Sequence, residues 1–202
     1  MITQIIYQRY LKHIYDKYVA TRRQDVYYVH EFTLCYMKAQ ILRQLNQIRM
    51  ISEELLKDTV VIGEIIHEAL LRLIDNEPKE VCKQIEDIEI CGTADALIDD
   101  TVIEIKYVSS MKRILQKTQQ NQVKLKPLEH HVLQARMYGW LYDARNVILL
   151  YVTPRKLIEV RLTPMDENEV RQHVLNWINL KPTPMWDWEC KLCTLKKLCP
   201  LK

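Results

Sequence analysis

Residues 89–106, EICGTADALIDDTVIEIK, decide how the rest of the chain is read. Leu97-Ile98 and the run Val102, Ile103 and Ile105 flank Asp99-Asp100-Thr101, and β-branched runs around an Asp-rich turn predict a hairpin. Alternate residues of a strand share a face, so Glu104 and Lys106 project together while Ile105 points away. Asp95 falls on the first predicted strand, where pairing would set it beside them. Two carboxylates and an ammonium on one face suit a cation and an activated water. Taken alone, a Glu-x-Lys pair reads as an ordinary solvated strand face.

The bulk composition narrows the class. The 202 residues are 48% hydrophobic and 27% charged, enough core for one domain and no signature of disorder. A net charge of +3 does not by itself imply nucleic acid. Arg9, Lys12, Asp16 and Lys17 interrupt the apolar residues a signal peptide would need, and no run reaches the roughly 18 apolar residues of a membrane span. A cytoplasmic protein is expected, with its six cysteines not forming a disulfide framework.

Helical spacing of Ile2, Ile5, Ile6, Tyr10, Ile14 and Tyr18 predicts an amphipathic helix over 2–20. After a polar break at 21–25, Val26 to Val29 reads as extended and Glu31 to Ile48 as a helix containing Cys35. Thr59 to Ile74 is a second strong helix, with Thr59 as a candidate N-cap and Gly63 and His67 one turn apart on one face. A glycine inside a helix costs about 1 kcal/mol relative to alanine, which a close approach beside His67 would justify. Gly92 lies three residues before Asp95, where a kink could aim that carboxylate.

Met111 to Lys126 carries Lys112, Arg113, Lys117, Lys124 and Lys126 among glutamines and no acidic residue. On composition it is a solvated loop or helix; beside a phosphodiesterase site it would be a flap on the DNA backbone. Leu128 to Tyr142 reads as a helix with His131, Gln134 and Tyr138 off its packing face. Asn146 to Thr153 and Leu157 to Thr163 read as paired strands, and Thr163-Pro164 as the start of a helix reaching about Leu180. Cys190-x2-Cys193-x5-Cys199-Pro200 is the sharpest local signal: cysteines two apart let both thiolates reach one metal centre, and Cys35 would complete a set of four. Zinc and an iron–sulfur cluster both accept four thiolates; the Cys-Pro ending and one ligand far upstream favour [4Fe–4S].

Gly63-x3-His67, Gly92-x2-Asp95, Glu104-Ile105-Lys106 and Gln134-x3-Tyr138 stand in that order, framed by Cys35 and by Cys190, Cys193 and Cys199. This layout resembles the RecB-like branch of the PD-(D/E)xK nucleases, and within it the CRISPR-associated fourth Cas family of compact iron–sulfur exonucleases. The resemblance runs from Val26 to Cys199 and leaves out the N-terminal helix. It departs after Cys35, where Tyr36-Met37-Lys38 keeps only the lysine of the family's usual sequence.

The resemblance implies an α/β fold: a restriction-endonuclease-like mixed sheet flanked by helices, with N- and C-terminal segments joined by a [4Fe–4S] cluster. One domain over 1–202 would comprise an N-terminal helix (1–25), a helical segment with the first cluster cysteine (26–58), the nuclease core (59–180) and the cysteine tail (181–202). His67, Asp95, Glu104 and the backbone carbonyl of Ile105 would hold Mg2+ or Mn2+, oxygen ligands suiting both and the histidine favouring manganese. Lys106 would orient the attacking water and help deprotonate it, and Gln134 and Tyr138 would hold the scissile nucleotide. The implied substrate is single-stranded DNA, degraded 5′ to 3′, and the implied role is trimming of spacer precursors alongside the CRISPR integrase subunits, away from membranes. A repair or viral nuclease, or a cluster-bearing DNA-binding subunit with a vestigial site, would carry the same residues.

Overall fold

A computed structural model describes residues 2–17, 22–47, 58–74, 78–117, 122–181 and 184–201. The fold is mixed α/β, as expected, but its strands divide among three sheets. In the largest, β4 (Ala96–Ile98), β5 (Thr101–Tyr107), β8 (Asn146–Val152) and β9 (Leu157–Leu162) lie side by side in that order. β5 runs parallel to β8 and antiparallel to β4, and β8 runs antiparallel to β9. Parallel neighbours need a crossover, and α4 (Glu129–Leu141) supplies it, packing on both strands. The apolar face of β8, Val147, Leu149 and Tyr151, is fully buried beneath it.

Glu89 to Gly92 does not extend the hairpin. It falls in β3 (Ile88–Gly92), the centre of a second sheet ordered β1-β3-β2, with β1 at Tyr27–Tyr28 and β2 at Val81–Ile85. Asp95 therefore sits in the bend between two sheets rather than on a strand. Only Ala96 to Ile98 pairs with β5, through a two-residue turn at Asp99-Asp100. Asp99 takes φ 52°, a left-handed conformation that aspartate tolerates better than most residues. Cys82 and Cys91 face each other across β2 and β3 and form a disulfide, so the expectation of no disulfide framework is corrected at this one pair, the other four cysteines being free.

α1 (Ile2–Tyr15) and α3 (Asp58–Ile74) match their periodicity; Tyr18 to Ala20 lie outside the described residues, as does the side chain of Thr59. The single helix expected from Glu31 instead splits into a 3-10 turn at Val29–Thr33 and α2 (Tyr36–Gln47). Leu34 is extended between them, which places Cys35 at the junction. The segment after Tyr107 is neither loop nor helix: a 3-10 turn at Met111–Arg113 leads into an antiparallel ribbon of β6 (Leu115–Lys117) and β7 (Val123–Leu125).

α5 (Glu167–Leu175) starts later than Thr163-Pro164 suggested, because Asp166 accepts from the Glu169 N–H and Glu169 reaches back to the Asp166 N–H, a reciprocal cap. A π turn, Asn176–Leu180, extends it. Trp177, wholly buried, packs its ring against Phe32, Tyr36 and Tyr27 and so locks this C-terminal segment onto the N-terminal one. No helix among the described residues is long and apolar enough to cross a membrane.

Candidate functional site

β5, α3, α4 and the bend after β3 converge on a cavity of about 980 Å3. His67, Asp95, Glu104, Ile105, Lys106, Gln134 and Tyr138 all line it, so residues from four separate motifs share one space. Asp95 bridges two of the elements: its Oδ1 lies 2.7 Å from His67 Nε2 on α3, and its Oδ2 accepts from the backbone N–H of Ile105 at 2.6 Å. That second bond substitutes for the strand pairing Asp95 lacks. Lys106 Nζ contacts Glu104 Oε1 at 2.5 Å, as two residues on one strand face should.

Burial and charge set the protonation states. Glu104 is 1% exposed, and desolvation together with the Asp95 charge pushes its pKa up to about 7, Lys106 only partly offsetting them. Burial also pushes Asp95 up, but the hydrogen bond and charge of His67, then Lys106 and the Ile105 N–H, hold it below its ordinary value. Conversely, burial lowers both His67 and Lys106, and the neighbouring carboxylates outweigh it and raise them. Tyr138, buried and hydrogen-bonded to Gln134, is driven far up and stays a neutral phenol.

Two buried atoms here, Glu104 Oε2 and His67 Nδ1, lack a hydrogen-bond partner among the described residues. An unpartnered carboxylate oxygen beside a second carboxylate and an imidazole is a donor set that fits a divalent cation. Gly92 proves to serve Tyr138 rather than a kink: a Cβ there would lie 2.7 Å from the Tyr138 ring. Gly63 leaves room for a Cβ, whose nearest neighbour would be Tyr107 at 3.8 Å.

No family profile matches the chain. It is 27% identical over 218 aligned residues to the CRISPR-associated exonuclease Cas4 of Saccharolobus solfataricus (strain ATCC 35092 / DSM 1617 / JCM 11322 / P2), an alignment covering 100% of this chain and 99% of that one. The crystal structure of SSO0001 superposes with a TM-score of 0.80 at 25% identity, over 99% of this chain and 96% of that one. Sequence and fold agree over nearly the full length of both chains. The chain is similar to a Cas4 exonuclease.

Beyond the cavity, the fold gathers the four cysteines expected to act together. The Cys190 thiol is raised by desolvation and then by Cys35, Cys193, Cys199 and Glu189, so the other three thiols lie within electrostatic reach of Cys190. Their segments are tied by backbone contacts: Glu189, on the short helix α6 (Glu189–Leu192), accepts from the N–H groups of Cys35, Met185 and Trp186 at 2.7–3.0 Å. Trp177 and Trp186 donate to Leu34 O and Thr33 O. A four-thiol donor set fits a metal centre.

The predicted DNA contacts are spread out. Arg113 lines the cavity, while Lys112, Lys124 and Lys126 are exposed on the ribbon and its approach. Lys117 ends β6; Gln119 and Gln120 lie outside the described residues. Sequence reasoning missed Arg22, Tyr28 and His30, which also line the cavity. They precede or interleave the motifs without periodic spacing, so no sequence signal marked them.

Proposed function

We propose that this chain is a metal-dependent DNA exonuclease, acting on single-stranded DNA or overhangs in the 5′ to 3′ direction and trimming spacer precursors with the CRISPR integrase subunits in the cytoplasm. The observation that carries the reading is the convergence of His67, Asp95, Glu104 and Lys106 on one cavity with the Glu104 Oε2 left unpartnered. Full-length likeness to a protein named a CRISPR-associated exonuclease supports it.

His67, Asp95, Glu104 and the Ile105 carbonyl would hold Mg2+ or Mn2+. That ion would supply positive charge to polarise the scissile phosphate and make water a better nucleophile. Lys106, kept as an ammonium by Glu104 and Asp95, holds the water through its lone pair and offsets charge developing on phosphorus. Gln134 and the neutral Tyr138 hydroxyl position the nucleotide whose P–O bond breaks, and Lys112, Arg113, Lys117, Lys124 and Lys126 draw in the backbone. The four cysteines would carry a [4Fe–4S] cluster that joins the N- and C-terminal segments of a single domain.

Glu104→Ala and Lys106→Ala are each expected to cut the rate of cleavage of end-labelled single strands by about 10²–10³-fold or more while leaving the fold intact by circular dichroism. Cleavage at the wild-type rate in both variants would remove the site from the mechanism. Wild-type protein that binds an overhang and never cuts it with either metal points instead to a DNA-binding subunit with a vestigial site.

A further inference from the structure

The cavity has a second wall, formed by Arg22, Tyr28 and His30, that belongs to none of the motifs. The Arg22 side chain is 13% exposed and fixed on three sides. Its Nη2 lies 3.2 Å from Glu31 Oε1 and 3.0 Å from His30 Nε2, and the guanidinium sits 4.5 Å over the Tyr28 ring. A guanidinium only donates, so His30 Nε2 accepts. That fits an imidazole held neutral near pKa 3 by burial, then by the charges of Arg22 and Lys106. The Lys106 contribution also places this wall within electrostatic reach of the active-strand lysine.

The charge on the wall does not balance. Glu31 is buried and also pairs with Arg43 at 3.1 Å. Arg43 is committed to the fold, donating to Gln24 O and Val26 O at 2.7 and 2.9 Å. Among the described residues, two guanidiniums around one carboxylate leave one positive charge facing the cavity. Lys17, on the same cavity, differs: Glu64 and Glu68 both pair with it, at 2.5 and 2.9 Å. A half-buried guanidinium with half a carboxylate is a site for a further anion, and its planar fork matches a phosphate.

We propose that Arg22, oriented by Glu31 and His30, binds the backbone phosphate adjacent to the scissile one and so sets the register of the DNA strand against Lys106. The clamp rests on reading the cavity as a DNA nuclease site and adds a specific contact to it. It binds charge rather than base identity, so it selects a continuous phosphate backbone and not a sequence.

The test is a scan in which single-stranded oligonucleotides each carry one neutral methylphosphonate linkage. Binding to the full chain is measured by fluorescence anisotropy without added divalent metal. One linkage near the end being degraded is expected to weaken wild-type binding about tenfold, the scale of one charge-assisted contact. Arg22→Gln is expected to bind every unmodified strand about tenfold more weakly, to be indifferent to that linkage, and to lower the slope of log K against log salt by about 0.7. Should Arg22→Gln fail to fold, Arg22→Lys takes its place: it keeps the charge, loses the fork, and is expected to lose several-fold at that same linkage. A wild type that binds and cuts DNA while no linkage depends on residue 22 in either variant overturns the clamp alone. A wild type that binds no single strand overturns the nuclease reading together with it.

Discussion

At the scale of single residues, burial sets the charge state of the site, and Glu104 bears most of its cost. In the folded protein its pKa stands near 7, above the ordinary glutamate value of 4.5, so the native state keeps a proton the unfolded chain has released. The metal-free protein is therefore expected to lose stability as pH rises between those two values. A cation held by Glu104, as proposed, would reverse the sign of the effect by occupying the carboxylate. Mn2+ should raise the melting temperature above about pH 7, by the equivalent of about 2.7 kcal/mol at a hundredfold excess over Kd. The increment should shrink as pH falls through 7 and a proton competes for Glu104. Thermal scans at about pH 8 and about pH 5.5 check this, and an equal increment at both would mean that Glu104 is not a ligand. The shared strand face of Glu104 and Lys106 was legible from spacing, but their role and that of His67 came only from the order of the motifs and the resemblance it carries. The partner of Asp95 was legible from neither: an N–H from the strand it was thought to pair with is a tertiary contact with no local pattern.

At the scale of elements, two glycines predict opposite outcomes. Gly63 lies inside α3, and an added Cβ meets only Tyr107 at an ordinary contact distance. Gly63→Ala should stabilise the protein by about 0.5–1 kcal/mol through helix propensity. Gly139 lies where α4 crosses β8, and a Cβ there would collide with the Val147 side chain and come within 2.8 Å of Pro164 Cβ. Gly139→Ala should destabilise by about 1–3 kcal/mol, and the two melting shifts should differ in sign. The helices and the β8–β9 pair were legible because their periodicity spans many residues. The β6–β7 ribbon was not, since its strands are three residues each, too short for Val123-Lys124-Leu125 to stand out as an alternation. The start of α5 carried its own signal, Asp166 three residues before Glu169, beside the more conspicuous Thr163-Pro164. Short-range capping decided the boundary there, as the reciprocal hydrogen bonds show.

At the scale of the molecule, the two ends of the chain depend on one buried carboxylate. Glu189 receives three N–H groups, one of them from Cys35, 154 residues away. Glu189→Ala would leave those donors unsatisfied at about 1–3 kcal/mol each. Limited proteolysis should then clip residues 181–201 faster than in the wild type, and the visible absorption expected of a [4Fe–4S] protein should bleach sooner. A colourless wild type holding one zinc would rule out the cluster, and clipping at the wild-type rate would release Glu189 from its role. The long separation also has a consequence during synthesis. At about 5–20 residues per second, roughly ten to thirty seconds pass between emergence of Cys35 and of the segment that covers it. Through that interval the thiol meets the cell without Cys190, Cys193 and Cys199, the partners proposed for it, so oxidants and scavenging metal ions compete for it before the polypeptide is finished. Slow translation under oxidative stress should therefore leave a larger share of newly made chains unable to close.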